Sequence, residues 1–161
     1  MFAQQSNPMN LTPHFTLEEM ERSQTALSLG ISNYATYEAR QNLLYLCQQV
    51  LEPLRQWWGG PIIVSSGYRS PELNHAVGGV SNSQHLKGEA ADIVTARLQS
   101  TSSSPLGEAG VGLLFHYIKS YLPFDQLILE HDRRGNQWIH VSLRRPPQRN
   151  RHQVFSNMEK K

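Results

Sequence analysis

The spacing of apolar positions changes along this chain, and the changes predict helices in its first third and mostly strands after it. Thr16-Leu17-Glu18-Glu19 sets a hydroxyl three residues before an acid, a capping box that opens a helix near Thr16. Gly30 is the predicted end, after Ala26-Leu27-Ser28-Leu29. Thr36 caps a second, longer helix whose apolar face is Leu43, Leu44, Leu46, Val50, Leu51 and Leu54. Pro53 is expected to kink that helix, and Gly59-Gly60-Pro61 to end it. Pro61 to Ser65 then reads as a short buried strand, and Ser70-Pro71-Glu72 as a helix start with proline in its first turn. Glu89-Ala90-Ala91-Asp92-Ile93-Val94 is a further strand, and Gln99 to Pro105 a Ser/Thr-rich loop. A helix follows from about Gly107 to Tyr121, where Pro123 stops it. Gln126 to Glu130 and Gln137 to Val141 form a hairpin turning at Arg134-Gly135-Asn136. The expected fold is a single α+β domain, its N-terminal helices packed on a small, mainly antiparallel sheet.

A chain of 161 residues is the size of one domain and long enough to bury a core. Its formal charge of +2 is unevenly placed. From Arg144 onward there are four Arg and two Lys against a single acid, Glu159, so the remainder is net negative and offers no nucleic-acid-binding surface. The expected organisation is a tail over 1–14, a domain over 15–143 and a basic, flexible tail over 144–161. Adhesion to an anionic polymer is the functional alternative for that tail; no aromatic platform accompanies it for single-stranded nucleic acid. Cys47 is the sole cysteine, which excludes an intrachain disulfide, and its apolar helical surroundings predict a buried, inert thiol. Met1 to Pro8 lacks the basic and apolar regions of a signal peptide, and no apolar run is long enough to span a membrane. A monomer made in the cytoplasm is expected.

The candidate chemistry lies in three residues. His85 and Asp92 stand seven apart, and His140 closes the last apolar segment. Two imidazoles and a carboxylate are the ligand set of a catalytic zinc site, one ion per chain, with a fourth position left for water. The spacing excludes the single-helix His-Glu-x-x-His arrangement, and Gly88 predicts a bend between the first two ligands. Pairing the hairpin about its glycine sets Glu130 across from Trp138 and on the face of His140, where a carboxylate can act as general base. The plainer alternative is an edge-strand acid paired with Arg133 or Arg134. His131 and Asp132 are weaker candidates that fit turn roles. Arg69, after a strand and a glycine, can hold a carboxylate, a carbonyl or an oxyanion in its planar fork, or else form a structural salt bridge. Ser83 and Gln84 are candidates for binding substrate or fixing the loop, and Tyr68 for lining the cleft. Trp138 is expected to wall the site, Trp57 and Trp58 to close the core, His116 to pack and His75 to lie at the surface.

The string Ser83-x-His85-Leu86-x-Gly88-x-Ala90-x-Asp92 with Trp138-x-His140 resembles the zinc D-Ala-D-Ala carboxypeptidases and the phage L-alanyl-D-glutamate endolysins. Lysostaphin-type peptidases and the hedgehog domain have related sites. Ser65-Ser66-Gly67-Tyr68-Arg69-Ser70 and Leu73-Asn74-x-Ala76-Val77-Gly78-Gly79 extend the resemblance, which covers Phe15 to Ser142. It implies a zinc peptidase acting on peptidoglycan stem peptides, delivered to the bacterial cell wall or periplasm, with Arg69 holding the substrate oxygen. Many relatives carry their base acid three residues before the last histidine, where this chain has Gln137. Either Glu130 supplies the base, or the chain is a zinc-stabilised, catalytically weak binding module of the hedgehog type. Carboxypeptidase and endopeptidase are left open, because closure of the cleft beyond the leaving group decides between them.

Overall fold

The computed structural model describes residues 9–95 and 106–159, without the side chains of 106–109 and 157. The first eight residues and the Ser/Thr-rich loop lie outside the described residues. A two-residue turn joins β1 (Asn10–Thr12) to β2 (Phe15–Thr16) as a small antiparallel pair. Thr16 accepts a hydrogen bond from the Glu19 N–H and opens α1 (Leu17–Glu21). The expected first helix is in fact two, because Ser23 caps a second start, α2 (Gln24–Leu29), by accepting from the Ala26 N–H. Gly30 ends α2 in the left-handed conformation.

Thr36 caps α3 (Tyr37–Leu46), which runs through a wide turn at Cys47–Leu51 into α4 (Glu52–Trp58). In that turn the Glu52 N–H reaches back to the Cys47 carbonyl, five residues away. Pro53 has no N–H and its ring crowds the preceding turn, so the ladder widens instead of breaking. Gly59 caps α4 in the left-handed conformation, as its position predicts. Cys47 is fully buried, and burial pushes its thiol far above the ordinary range, which removes it as a nucleophile.

Next come β3 (Ile62–Ser66), α5 (Pro71–Ala76), β4 (Ala90–Thr95), α6 (Leu106–Tyr121), β5 (Gln126–His131), β6 (Gln137–Ser142) and β7 (Gln153–Glu159). These strands make one sheet in the order β3-β4-β6-β5-β7, antiparallel except for the β5–β7 pair. Strand β3 is an edge strand and alternates in burial, so it is not the buried run expected; Ile63 faces outward. The sheet has two chemically different faces because side chains alternate along each strand. Ala91, Ile93, Leu127, Ile139 and Val141 turn to one side and pack with Leu43, Leu46, Val50 and Leu54 of the long helix and Leu114 and Ile118 of α6. Asp92, His140, Ile128 and Glu130 occupy the other parity and the other face.

Both expected tails are corrected by this arrangement. Residues 10–12 are β1, and His14 donates its N–H to the buried carboxylate of Glu52. The basic C-terminal segment is built into the sheet through β7. Its anchor is Asp125, fully buried, whose carboxylate accepts from the Arg151 backbone N–H and from the Arg151 guanidinium and lies 3.4 Å from Arg144 Nε. Arg145 likewise bonds Asn42 and Glu38 of α3. A count of charges along the chain reads these arginines as solvated because their acidic partners lie far away in sequence.

Burial alone would raise the pKa of Asp125, but the hydrogen bonds and charges of Arg151 and Arg144 outweigh it and hold the carboxyl below its ordinary value. A depressed folded-state pKa means that this stabilisation is present above about pH 4 and fades as pH falls toward the folded value. Asp125→Asn should therefore lose about 3 kcal/mol at pH 7, the lower end for a broken buried pair because both arginines keep access to water. Its stability should also fall less steeply on acidification. Thermal melts of both proteins between pH 7 and pH 2 test this; equal acid slopes would remove Asp125 as the source.

Candidate metal centre

His85 arrives from a 3₁₀ turn, Gln84–Lys87, whose two ends are fixed independently. Ser83 caps its start by accepting from the His85 N–H, and Gly88 ends it with φ +70°. A side chain at Gly88 would be strained by that φ, and its Cβ would stand 2.3 Å from the Ala39 carbonyl oxygen of α3. The close approach lets Asn42 donate to the Lys87 carbonyl. The bend expected at Gly88 is therefore present, and α3 supports it.

Asp92 and His140 are directly paired across β4 and β6, and His140 is paired in turn with Ile128 of β5. Asp92 Oδ1 lies 3.3 Å from His85 Nε2 and 2.9 Å from His140 Nδ1. Potential donor atoms of all three residues fall within 4.8 Å of one another. His85 Nδ1 is 2.6 Å from the Gly67 carbonyl oxygen. A carbonyl only accepts, so Nδ1 carries the proton and the lone pair of Nε2 is turned toward Asp92. Two acceptors held this close need a cation or a proton between them. Ligands about 2.0–2.1 Å from one tetrahedral ion lie about 3.3 Å apart, so the three residues fit a small divalent metal. His85 is 3% and Asp92 9% exposed. Burial would raise the pKa of Asp92, but positive charge in the cluster, carried by the two imidazoles when both are protonated, opposes it and holds the carboxyl far below its ordinary range. The Asp92 carboxylate is ionised throughout the physiological range.

The three residues line a cleft of ≈ 470 Å³. Glu130 lines it too, is 5% exposed and sits across from Trp138, as the hairpin pairing predicts. Trp138 Nε1 donates to one of its carboxylate oxygens at 2.6 Å, so the tryptophan orients the acid. Arg69 donates from Nη2 to Asp92 Oδ2 at 3.2 Å and from Nε to Ser66 Oγ at 3.0 Å, and also lines the cleft. Ser83 and Gln84 line it as well, Ser83 in its capping role and Gln84 bonded to Glu89.

Several expectations need correction. Tyr68 is 4% exposed, packs in the core and is not among the residues lining the cleft. Its backbone is committed too, since the Tyr68 N–H bonds the Met20 carbonyl. Asp132 accepts from the Arg134 and Asn136 backbones and is a turn residue. His116 is exposed on α6 and does not pack inside, whereas His75 is at the surface as expected. Trp58 packs on the core, while Trp57 is nearly half exposed and stacks on Tyr117. Arg144, Arg151 and Gln126 line the cleft and were missed by sequence reasoning; the acid Asp125 just before an apolar strand is a signal that went unread there. A larger groove of ≈ 620 Å³ borders α2, but the described residues around it provide no cluster of metal-ligating groups.

Comparison with known proteins bears on this geometry. The model of the peptidase M15 family matches residues 13–142. A zinc D-Ala-D-Ala carboxypeptidase of Streptomyces albus G is 41% identical over 81 residues, 50% of this chain and 31% of that protein. The chain thus aligns with less than a third of the length of that relative.

Proposed function

The chain belongs to the peptidase M15 family, and from that premise we propose that it is a zinc metallopeptidase hydrolysing an amide bond in peptidoglycan stem peptides. The observation that carries the reading is the His85–Asp92–His140 cluster opening onto a cleft that also holds a buried carboxylate, Glu130. Zinc bound by the three residues would supply an acidified water and a polarised substrate carbonyl. Glu130 is the group suited to take a proton and return it to the leaving amine, with Trp138 fixing its orientation. Arg69 is suited to hold the substrate oxygen while also orienting the Asp92 carboxylate. Among the described residues no helix is long and apolar enough to cross a membrane. The proposed place of action is the bacterial wall, in a lysis or tail-associated setting like that of phage endolysins.

The binding-module alternative rested on Gln137. Three positions before His140 on a regular strand is the opposite face, and Gln137 is exposed there. Glutamine at this position takes no acid away from the metal face, and the buried Glu130 favours the enzyme.

Digestion of purified sacculi with the zinc-loaded protein, followed by mass spectrometry of the new termini, tests the function. Released D-Ala would mark a carboxypeptidase, and a new internal amine an endopeptidase. Arg69→Lys run in parallel should give the same termini at a rate at least about tenfold lower, because one ammonium cannot replace a two-pronged fork. No new termini with the parent protein would end the peptidase reading.

A further inference from the structure

We propose that Arg144 and Arg151, held by the buried Asp125, form a carboxylate-recognising wall of the cleft, so that the preferred substrate carries a second carboxylate away from the bond being cut. This rests on the peptidase reading and adds what the substrate must present. Both arginines line the cleft that holds the metal ligands. Both lie beyond residues 13–142, the part matched by the family model.

Two guanidinium groups share a single carboxylate here. Arg151 bonds Asp125 through Nε and Nη2, and Arg144 approaches it through Nε. Among the described residues, neither Nη of Arg144 nor Nη1 of Arg151 has a hydrogen-bond partner. Their side chains are 30% and 40% exposed, while Asp125 is wholly buried. Glu89 is the nearby acid in the lining, but it too is buried and is bonded by Gln84. Exposed Lys87 adds another cation to the same wall. Asp125 therefore faces inward and the outer edges of the two arginines face the cleft, whose metal end carries Asp92 and Glu130 instead.

The chemistry of such a wall suits a carboxylate. The outer edge of a guanidinium presents parallel N–H groups that match two carboxylate oxygens. Asp125 is itself locked between strands, since its N–H donates to the Ser142 carbonyl and its own carbonyl accepts from Gln153. The arginines are thus oriented before substrate arrives, which lowers the entropy lost on binding.

The test uses zinc-loaded protein and one stem peptide in three forms: free acid, C-terminal amide and side-chain amide. Hydrolysis and calorimetric binding are measured for each. The parent protein should prefer the free acid to one of the amides by about tenfold to a hundredfold, the range for a charge-assisted hydrogen-bonded pair. The amide that loses the preference identifies which carboxylate is read. In Arg144→Gln, where the Asp125–Arg151 pair stays intact, the ratio should fall toward one, and further with Arg151→Lys added. Arg149→Gln, an exposed change in the same segment, should keep it. Equal use of acid and amides by the parent, or an unchanged ratio in Arg144→Gln, would overturn the proposal. If no peptide is hydrolysed, the peptidase reading falls, and the binding ratios still decide whether the wall reads a carboxylate.

Discussion

Glu130→Gln should lower peptidoglycan hydrolysis by about 10²–10⁴-fold while leaving the fold and the metal content intact. The side chain is buried in the cleft and its carboxylate is oriented by the Trp138 N–H. Glutamine keeps the size and can still accept that hydrogen bond through its amide oxygen, so the site should hold its shape. What it loses is the capacity to take a proton. The measurement is the rate of release of new termini at matched zinc content, with a thermal melt as the control for folding. Near-normal hydrolysis would mean that another group takes the proton, and Asp132, bound into its turn, is a poor replacement. A drop accompanied by lost zinc would instead assign Glu130 to the support of the metal site.

Removing the His140 imidazole should have a larger effect. His140→Ala is expected to reduce hydrolysis to background and to lower bound zinc well below that of the parent, measured by metal analysis of protein purified without chelator. His140 is one of the three clustered residues able to hold a metal, and its Nδ1 lies 2.9 Å from Asp92 Oδ1. A site left with one imidazole and one carboxylate falls one short of the three protein ligands that hold a catalytic zinc. The backbone of β6 should persist, because its pairing with β4 and β5 does not depend on this side chain. Unchanged zinc content in His140→Ala would refute the ligand assignment. The chelator-treated parent should match the variant in activity and recover on adding zinc back, whereas the variant should not.

The hairpin shows how much a local pattern can carry. Alternation along 126–130 and 137–141, together with Gly135, was enough to set Glu130 against Trp138 and on the face of His140. Strand periodicity is two, and one glycine turn sets the register, so a few residues define which side chains meet. Thr16, Thr36, Ser70 and Gly88 were legible for a similar reason: a cap or a left-handed residue acts within one turn of chain. The break at Ser23 was not, because the capping box before it and Gly30 after it read equally well as one helix. The wide turn before Pro53 was likewise beyond a pattern that knows only kink or no kink.

The candidate donor types and the two-faced strands were therefore determined by the sequence itself, since residue identity and strand alternation are local properties of the chain. Only the tertiary structure decided that Asp92 pairs with His140 and that a Gly67 carbonyl selects the tautomer of His85. Tyr68 went to the core for the same reason, and Arg144 and Arg151 went to the cleft when Asp125 was buried between strands β5, β6 and β7. A buried charge must find its partner in space, and Asp125 found it 26 residues along the chain, where neither periodicity nor a count of charges reaches.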